Sequence, residues 1–392
     1  MLDIKYTTGF AGSGKSKSLL DLLDTLRVDN TIVLAPTHKA LDRLRKELKQ
    51  DFELRTIHSI LGWIPTINED ASHVNHVDAT CKLDKPMEYY KHIIIDEAGM
   101  MNEDMLYEMI EKIEVANPEA QLHLFLDPYQ LLPVKGYQIQ IDPDSTTELN
   151  TQYRAESPDI VRTFMKFVDF LRGTNTEDLK IEESDNIIFA ENIKNFKEGD
   201  KVLGFTNNCV GNYNKLIAAH LGIKGYEGQE VQLGNEVDTI IVDKFIEPTI
   251  QELLEGFKNG TLKLQNSNIN SMYLEASLQA LIDNKTIEFI LSGNTTYCVI
   301  AGVDRAYKAR NDAKDKAVQN KKMFKHVYAL NRAFTMDYIF ASTVHKSQGQ
   351  EWNTVFVAQT DIKKAIKPNY YMTYARLMYV ALSRAKNKIY II

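Results

Sequence analysis

The stretch Gly9-Phe10-Ala11-Gly12-Ser13-Gly14-Lys15-Ser16 decides the fold. It fits the pattern GxxxxGK[ST]. A short β-like run, Asp3–Thr8, leads into it, and an apolar-periodic segment with Leu19, Leu20, Leu22, Leu23 and Leu26 follows. Strand, glycine turn and helix in that order are the context that turns the pattern into a phosphate-binding loop. The glycines Gly9, Gly12 and Gly14 let backbone N–H groups wrap phosphate oxygens, with Ala11 and Ser13 between them. The N-terminus of the following helix adds positive potential. Lys15 is then placed to reach the β- and γ-phosphates of ATP, and the Ser16 hydroxyl to ligate Mg²⁺.

Further along, Ile93-Ile94-Ile95-Asp96-Glu97-Ala98 reads as a buried strand with two acids at its carboxyl end. Ligands of open α/β sheets sit at that end of the strands. Asp96 fits a Mg²⁺ partner acting through water, and Glu97 fits the base that orients or deprotonates the attacking water. The run ending in Leu126-Asp127 is followed by Gln130, which could sense a γ-phosphate, although a loop glutamine alone is commonly just solvated.

Around these motifs the chain alternates strand and helix. Thr31–Ala35, His92–Ile95 and Gln121–Leu126 are buried-strand runs; Leu41, Leu44 and Leu48, and Glu103–Ile113, are helical. Such alternation implies a parallel sheet covered by helices. It pauses at Gly62–Tyr90, read as a small insertion that holds Trp63. A second α/β unit starts near Glu148, with a helix around Val161–Leu171, strand Lys201–Phe205 and helix Val210–Leu221. It resumes at Tyr338–Ala341, with strand Thr354–Ala358, helix Tyr374–Ser383 and strand Ile389–Ile392. The segment between mixes β-like runs (Thr239–Val242, Thr286–Leu291, Thr296–Ala301) with helical ones (Thr249–Phe257, Met272–Ile282). It reads as an inserted domain.

Composition narrows the class. The 392 residues are 44% hydrophobic and 25% charged, ordinary for a globular chain of two to three domains. A net charge of −7 excludes a uniformly basic nucleic-acid binder but not a local basic surface. Within Asp304–Arg332 nine basic residues, among them Lys321, Lys322 and Lys325, face three aspartates. That stretch is a solvated helical face or a phosphate-tracking surface. The cysteines Cys81, Cys209 and Cys298 are isolated, which fits a reducing compartment and argues against structural zinc. Neither a signal peptide nor a membrane-length apolar run is evident. The expected location is cytoplasmic, or the host cytoplasm if the protein is phage-encoded.

The ordered set resembles superfamily 1 DNA helicases, in the branch of RecD and the phage Dda helicase. Leu34-Ala35-Pro36-Thr37-His38-Lys39-Ala40 resembles the family's first DNA-contact motif, with Pro36, Thr37 and His38 as contacts, and Thr56-Ile57-His58-Ser59 resembles the next, with Thr56 and His58 as contacts. The Gln130 loop resembles its third motif, with Leu126 and Leu132 where Gly and Pro are usual. Leu149-Asn150-Thr151-Gln152-Tyr153-Arg154 resembles the fourth, with Ala155 in place of a common Gln. Ser342-Thr343-Val344-His345-Lys346-Ser347-Gln348-Gly349-Gln350-Glu351 resembles the fifth, and Tyr379-Val380-Ala381-Leu382-Ser383-Arg384-Ala385 the sixth.

The resemblance implies two RecA-like P-loop motor domains. The first spans 1–145, with its insertion at about 62–90; the second spans 146–221 and 337–392. An SH3-like, partly helical domain is inserted at 222–336. It implies Arg154 as a γ-phosphate arginine, Arg384 as a second arginine, nucleotide contacts from Gly349 and Glu351, and DNA contacts from Thr343 and His345. The two arginines would come from the second unit, so that ATP bridges both. The implied activity is ATP-driven, Mg²⁺-dependent 5′-to-3′ translocation on single-stranded DNA with unwinding at duplex junctions. The protein would act as a monomer with no membrane partner, alongside replication or recombination proteins. The alternatives are a RecD-like motor subunit of a nuclease or repair complex, a nucleotide-switched DNA-binding module, and a small-molecule P-loop kinase. The family's upstream glutamine motif, which reads adenine, has no counterpart in the eight residues before Gly9.

Overall fold

The computed structural model describes residues 2–67, 73–77, 85–133, 137–174, 179–234, 239–265, 275, 278–279, 282–283, 285–319, 330–366 and 371–392. It divides into two compact units, Met1–Glu191 with Val344–Ile392, and Asn192–Thr343.

The first part of the first unit holds the strands β1 (Asp3–Gly9), β2 (Thr31–Ala35), β3 (Glu53–Thr56), β4 (Trp63–Ile67), β5 (His73–Val77), β6 (His92–Ile95), β7 (Gln121–Leu126) and β8 (Thr146–Leu149). Six form a parallel sheet in the order β3-β2-β6-β7-β1-β8. Its centre is built from the apolar runs: Ile93, Ile94, Ile95, Leu122 and Leu124 are fully buried. Each such side chain contributes about 1.5–3 kcal/mol. The helix Lys15–Leu23 buries Leu19 and Leu23 against one face, with Val33, Ile94 and Phe125. Helix Glu103–Ala116 buries Met105, Leu106, Met109 and Ile113 against the other. Asn102 caps that helix through Met105 N–H, and Glu103 and Asp104 in its first turn favour the dipole. Because all six strands run the same way, the chain leaves β1, β2, β3, β6 and β7 at one end of the sheet.

The sheet runs further along the chain than the 145/146 division expects. Thr146–Leu149 is its edge strand, paired with β1 from Tyr6↔Thr146 to Gly9↔Leu149. An edge strand is only partly buried, so Thr-Thr-Glu-Leu carries no apolar run to announce it. The insertion contains an antiparallel hairpin, with Trp63 opposite Val77.

The same unit holds the helix Pro158–Leu171, with Pro158 in its first turn, and the helix Tyr371–Leu382 packed against it. Strands Trp352–Val357 and Ala385–Ile391 pair in parallel, and Ile187–Phe189 adds to the latter.

In the second unit Lys201–Gly204 pairs in parallel with Ala341–Thr343, beside helix Asn207–His220. The rest is a mixed sheet of short strands. Glu230–Leu233 joins Thr239–Ile241 and Phe334–Tyr338, and Thr295–Ala301 joins Glu288–Ser292. Helix Ile250–Lys258 closes on a capping box between Thr249 and Glu252. The basic stretch begins as the helix Val303–Gln319, on which Arg305 and Lys308 are exposed. Lys321, Lys322 and Lys325, and most of Met272–Ile282, lie outside the described residues.

Candidate active site

The loop after β1 turns through Gly12 (φ +80°) and Gly14 (φ +91°), left-handed conformations that favour glycine. Gly12 is also a point of close approach. A Cβ there would collide with the Gln152 side chain and lie 2.7 Å from the Arg154 Cβ. The helix that follows starts at Lys15 with no side-chain cap and no acid in its first turn. Its first N–H groups are therefore left for an anion.

That loop is one wall of a cavity of about 430 Å³. Gly12, Gly14, Lys15 and Ser16 line it, together with Asp96, Glu97, Gln130, Arg154, Glu351 and Arg384. Every one of these lies in the first compact unit. Arg154 and Arg384, expected from a second α/β unit, lie in the same compact unit as the loop.

Lys15 Nζ donates to Gly9 O (2.7 Å) and Phe10 O (2.9 Å) and sits 3.8 Å from Asp127 Oδ2. Burial pushes its pKa down, against the pull of Asp127 and Glu97. Asp96 is pushed up to about 6 by burial and by the neighbouring Glu97, while an ion pair with Arg43 at 2.7 Å opposes the shift. Glu97 stands in a left-handed conformation, φ +51°. That costs a non-glycine residue roughly 1–2 kcal/mol. Strain of this kind concentrates where a side chain must be aimed.

Arg384 is 1% exposed. Its guanidinium donates only to neutral acceptors: Val380 O at 3.1 Å, Gln350 O at 3.2 Å and Ser383 Oγ at 3.1 Å. It has no carboxylate at ion-pair distance among the described residues. Burial and the nearby Arg154 lower its pKa to about 10. A buried cation without an acid is costly unless an anion joins it. Arg154 pairs with Glu351 through Nε at 2.9 Å, while its buried Nη1 has no partner among the described residues; nor has Ser13 Oγ. Lys386 also pairs with Glu351, and the two cations hold Glu351 below the usual carboxylate range despite partial burial. A buried arginine, Arg384, a half-buried one, Arg154, a lysine and an orphaned Arg154 donor around one cavity fit a polyphosphate. No group of three or more His, Cys, Asp or Glu among the described residues could hold a metal. A cation here would have to share Asp96 and Ser16 with phosphate oxygens, which is how Mg²⁺ commonly binds.

Sequence reasoning gave no role of their own to Tyr153 and Gln152, whereas Gln130 and Gly349 were expected at the site. Tyr153 is 74% exposed, and its ring is 3.4 Å from where a Gly14 Cβ would stand. It offers an aromatic face at the mouth of the cavity, which Tyr153 itself lines. Gln152 ties the loop down: its Nε2 donates to Ala11 O at 2.9 Å, and its Oε1 accepts from Arg154 N–H at 2.6 Å. Gln130 is buried; its Nε2 lies 3.4 Å from Asp127 Oδ2, and its Oε1 accepts from Gln348 at 3.1 Å. Gly349 turns at φ +74° close to Arg43. Of Gln152 and Tyr153, only the tyrosine left a signal, an aromatic in an otherwise polar loop.

In the first unit, Pro36, Thr37, Thr56, His58 and His345 do not line the cavity. Ala35 is in register with Thr56, so Pro36-Thr37-His38 and Thr56-Ile57-His58 leave adjacent strands side by side. Thr37 accepts from Ala40 N–H and Thr56 from Ser59 N–H, each capping a helix at 3.2 Å. Burial lowers the pKa of His58. In the first unit His345 opens an exposed single turn. In the second, Thr343 is buried at the end of its strand.

Residues 3–136 match the family described as AAA domain, and residues 338–392 match the UvrD-like helicase C-terminal domain. No curated protein matches the chain. Among solved structures, the Pif1 helicase of Candida albicans is 16% identical with a TM-score of 0.50, over 100% of this chain and 91% of that one. A structure described as two coordinating Pif1 helicases unwinding forked double-stranded DNA is 15% identical with a TM-score of 0.51, over 99% and 88%. Pif1 of a Bacteroides species, in complex with ADP-AlF4, is 16% identical with a TM-score of 0.50, over 100% and 88%. The fold is therefore that of a P-loop protein with two RecA-like domains on parallel sheets. The family matches at the two ends of the chain and the Pif1-like fold make it similar to superfamily 1 helicases of the Pif1, Dda and RecD type.

Proposed function

We propose that the protein is an ATP-dependent DNA helicase that moves 5′ to 3′ on single-stranded DNA and opens duplex DNA at junctions. One observation carries this reading: Lys15, Glu97, Arg154 and Arg384 converge on a single cavity whose cations lack enough acids to satisfy them.

ATP is the substrate. The loop amides and Lys15 bind its phosphates, and the exposed Tyr153 ring gives its base a surface to stack on. Glu97 orients or deprotonates the attacking water. Arg154 and Arg384 stabilise charge on the transferring phosphoryl group, an effect of about 10³–10⁵ in rate for an added arginine. Gln130, hydrogen-bonded to Gln348, senses the γ-phosphate from the third motif. Ser16 and Asp96 would hold Mg²⁺, whose charge neutralises the phosphates. Gly349 and Glu351 complete the nucleotide side.

The DNA track runs along Pro36, Thr37, His38, Thr56 and His58, with Thr343, His345, Lys321 and Lys322 as further contacts. Segment 222–336 acts as an accessory domain on that track. The Pif1 proteins of like fold, one unwinding forked DNA and one bound to ADP-AlF4, support both the substrate and the track. Among the described residues no helix is long and apolar enough to cross a membrane.

The test is unwinding of a duplex with one single-stranded tail. A 5′ tail and ATP should both be required. Unwinding only from a 3′ tail would reverse the polarity, and none from either would remove the helicase reading.

A further inference from the structure

A buried chain of hydrogen bonds joins the phosphate loop to the C-terminal helix, and none of the roles above uses it. The Tyr379 hydroxyl accepts from Ala11 N–H at 2.5 Å and donates to Asp127 Oδ2 at 2.6 Å. Asp127 follows the last residue of β7, and its Oδ1 accepts from Tyr129 N–H at 3.0 Å. The oxygen that takes the phenol proton is the one 3.8 Å from Lys15 Nζ. Tyr379 is fully buried, its ring edge-on to Phe164 and Tyr129. Burial beside Asp127 holds the phenol well above its ordinary pKa, so it remains a donor at neutral pH.

Lys15 can serve a nucleotide phosphate only if it is not locked onto a neighbouring carboxylate. Asp127 is 2% exposed and accepts from the Tyr379 hydroxyl at 2.6 Å and from Tyr129 N–H at 3.0 Å. Of the donors at Oδ2, the phenol is nearest, Gln130 Nε2 lies at 3.4 Å and Lys15 at 3.8 Å. If the phenol were absent, the carboxylate would turn to the lysine.

We propose that Tyr379 is a positioning residue for nucleotide binding: its hydroxyl fixes Ala11 in the phosphate loop and occupies Asp127, leaving Lys15 for the phosphates. This rests on the cavity being the ATP site. The hydroxyl also ties the helix that ends in Arg384's turn directly to the loop.

The experiment measures binding of a fluorescent, non-hydrolysable ATP analogue with Mg²⁺ to the full chain. Four proteins are compared: wild type, Tyr379→Phe, Asp127→Asn and the double variant. Tyr379→Phe keeps the ring and should weaken binding about tenfold, the scale of one lost hydrogen bond to a buried charge. Asp127→Asn removes the competing charge but keeps an oxygen for Tyr129 N–H. In the double variant it should recover most of the lost affinity. A purely structural tyrosine would not be rescued by removing a second group. Wild-type affinity in a folded Tyr379→Phe, or additive losses in the double variant, would overturn the proposal while leaving the ATP site intact. Wild-type protein that fails to bind the analogue would overturn the site and this proposal with it. Thermal melts of all four proteins keep affinity separate from folding.

Discussion

Replacing Arg384 with alanine separates catalysis from stability, because the two effects differ in size. The side chain is 1% exposed and makes three hydrogen bonds, all to neutral oxygens. Each contributes about 1 kcal/mol net, and removing a desolvated cation without an acid offsets part of that loss. The fold should therefore lose on the order of 1–3 kcal/mol, a few degrees in Tm for a chain of this size. The loss in turnover should be much larger. A transition-state arginine contributes about 10³–10⁵ in rate, or roughly 4–7 kcal/mol. The assay is ATP hydrolysis at saturating ATP with single-stranded DNA, beside nucleotide affinity and a thermal melt of the same preparation. The account expects kcat to fall at least about a thousandfold, with affinity changed far less. Arg384→Lys keeps a charge but not the planar fork, and should fall between wild type and alanine. A folded Arg384→Ala with kcat within tenfold of wild type, or one that loses affinity while turning over normally at saturation, would refute the reasoning.

Other expectations follow from the same geometry. Glu97→Gln keeps the side chain's shape but cannot take a proton, so it should bind ATP and hydrolyse it at least a hundredfold more slowly; turnover at the wild-type rate would move the base elsewhere. Gly12→Ala meets both a left-handed backbone and the Arg154 Cβ, so nucleotide affinity should fall, with roughly 1–2 kcal/mol lost from stability; unchanged affinity by titration would show that the loop yields. His123, lowered to about 4 by burial, Lys5 and His92, gives a pH-dependent term. Between pH 6.5 and 4 the unfolded chain binds a proton that the native chain refuses, so this stability is fully present above pH 6.5 and is lost as pH falls to 4, by roughly 3 kcal/mol. Urea unfolding of wild type and His123→Leu should diverge over that window, and parallel curves would contradict the buried neutral histidine.

The legible part of the molecule is the part written in local pattern. Strands Thr31–Ala35, His92–Ile95 and Gln121–Leu126 are continuous apolar runs, and the structure places strands at those residues. The loop Gly9–Ser16 is a contiguous motif, and its glycines have the predicted turn. What stayed hidden depends on distant pairs. Tyr379 and Ala11 are 368 positions apart, and Arg43 and Asp96 are 53 apart, so no spacing relates them. Asp127 reads as a residue ending a strand, and only packing shows it between Tyr379 and Lys15. Glu97 gives no sign in sequence of its left-handed backbone. Edge strand Thr146–Leu149 lacks an apolar alternation because water covers part of it.

In the proposed function this cavity hydrolyses ATP in order to move the chain along single-stranded DNA. Its most direct test is steady-state ATP turnover with and without single-stranded DNA, paired with displacement of streptavidin from biotinylated strands. The account predicts turnover strongly stimulated by DNA, with faster release from the 3′ end than from the 5′ end. Turnover indifferent to DNA, with no release from either end, would contradict it.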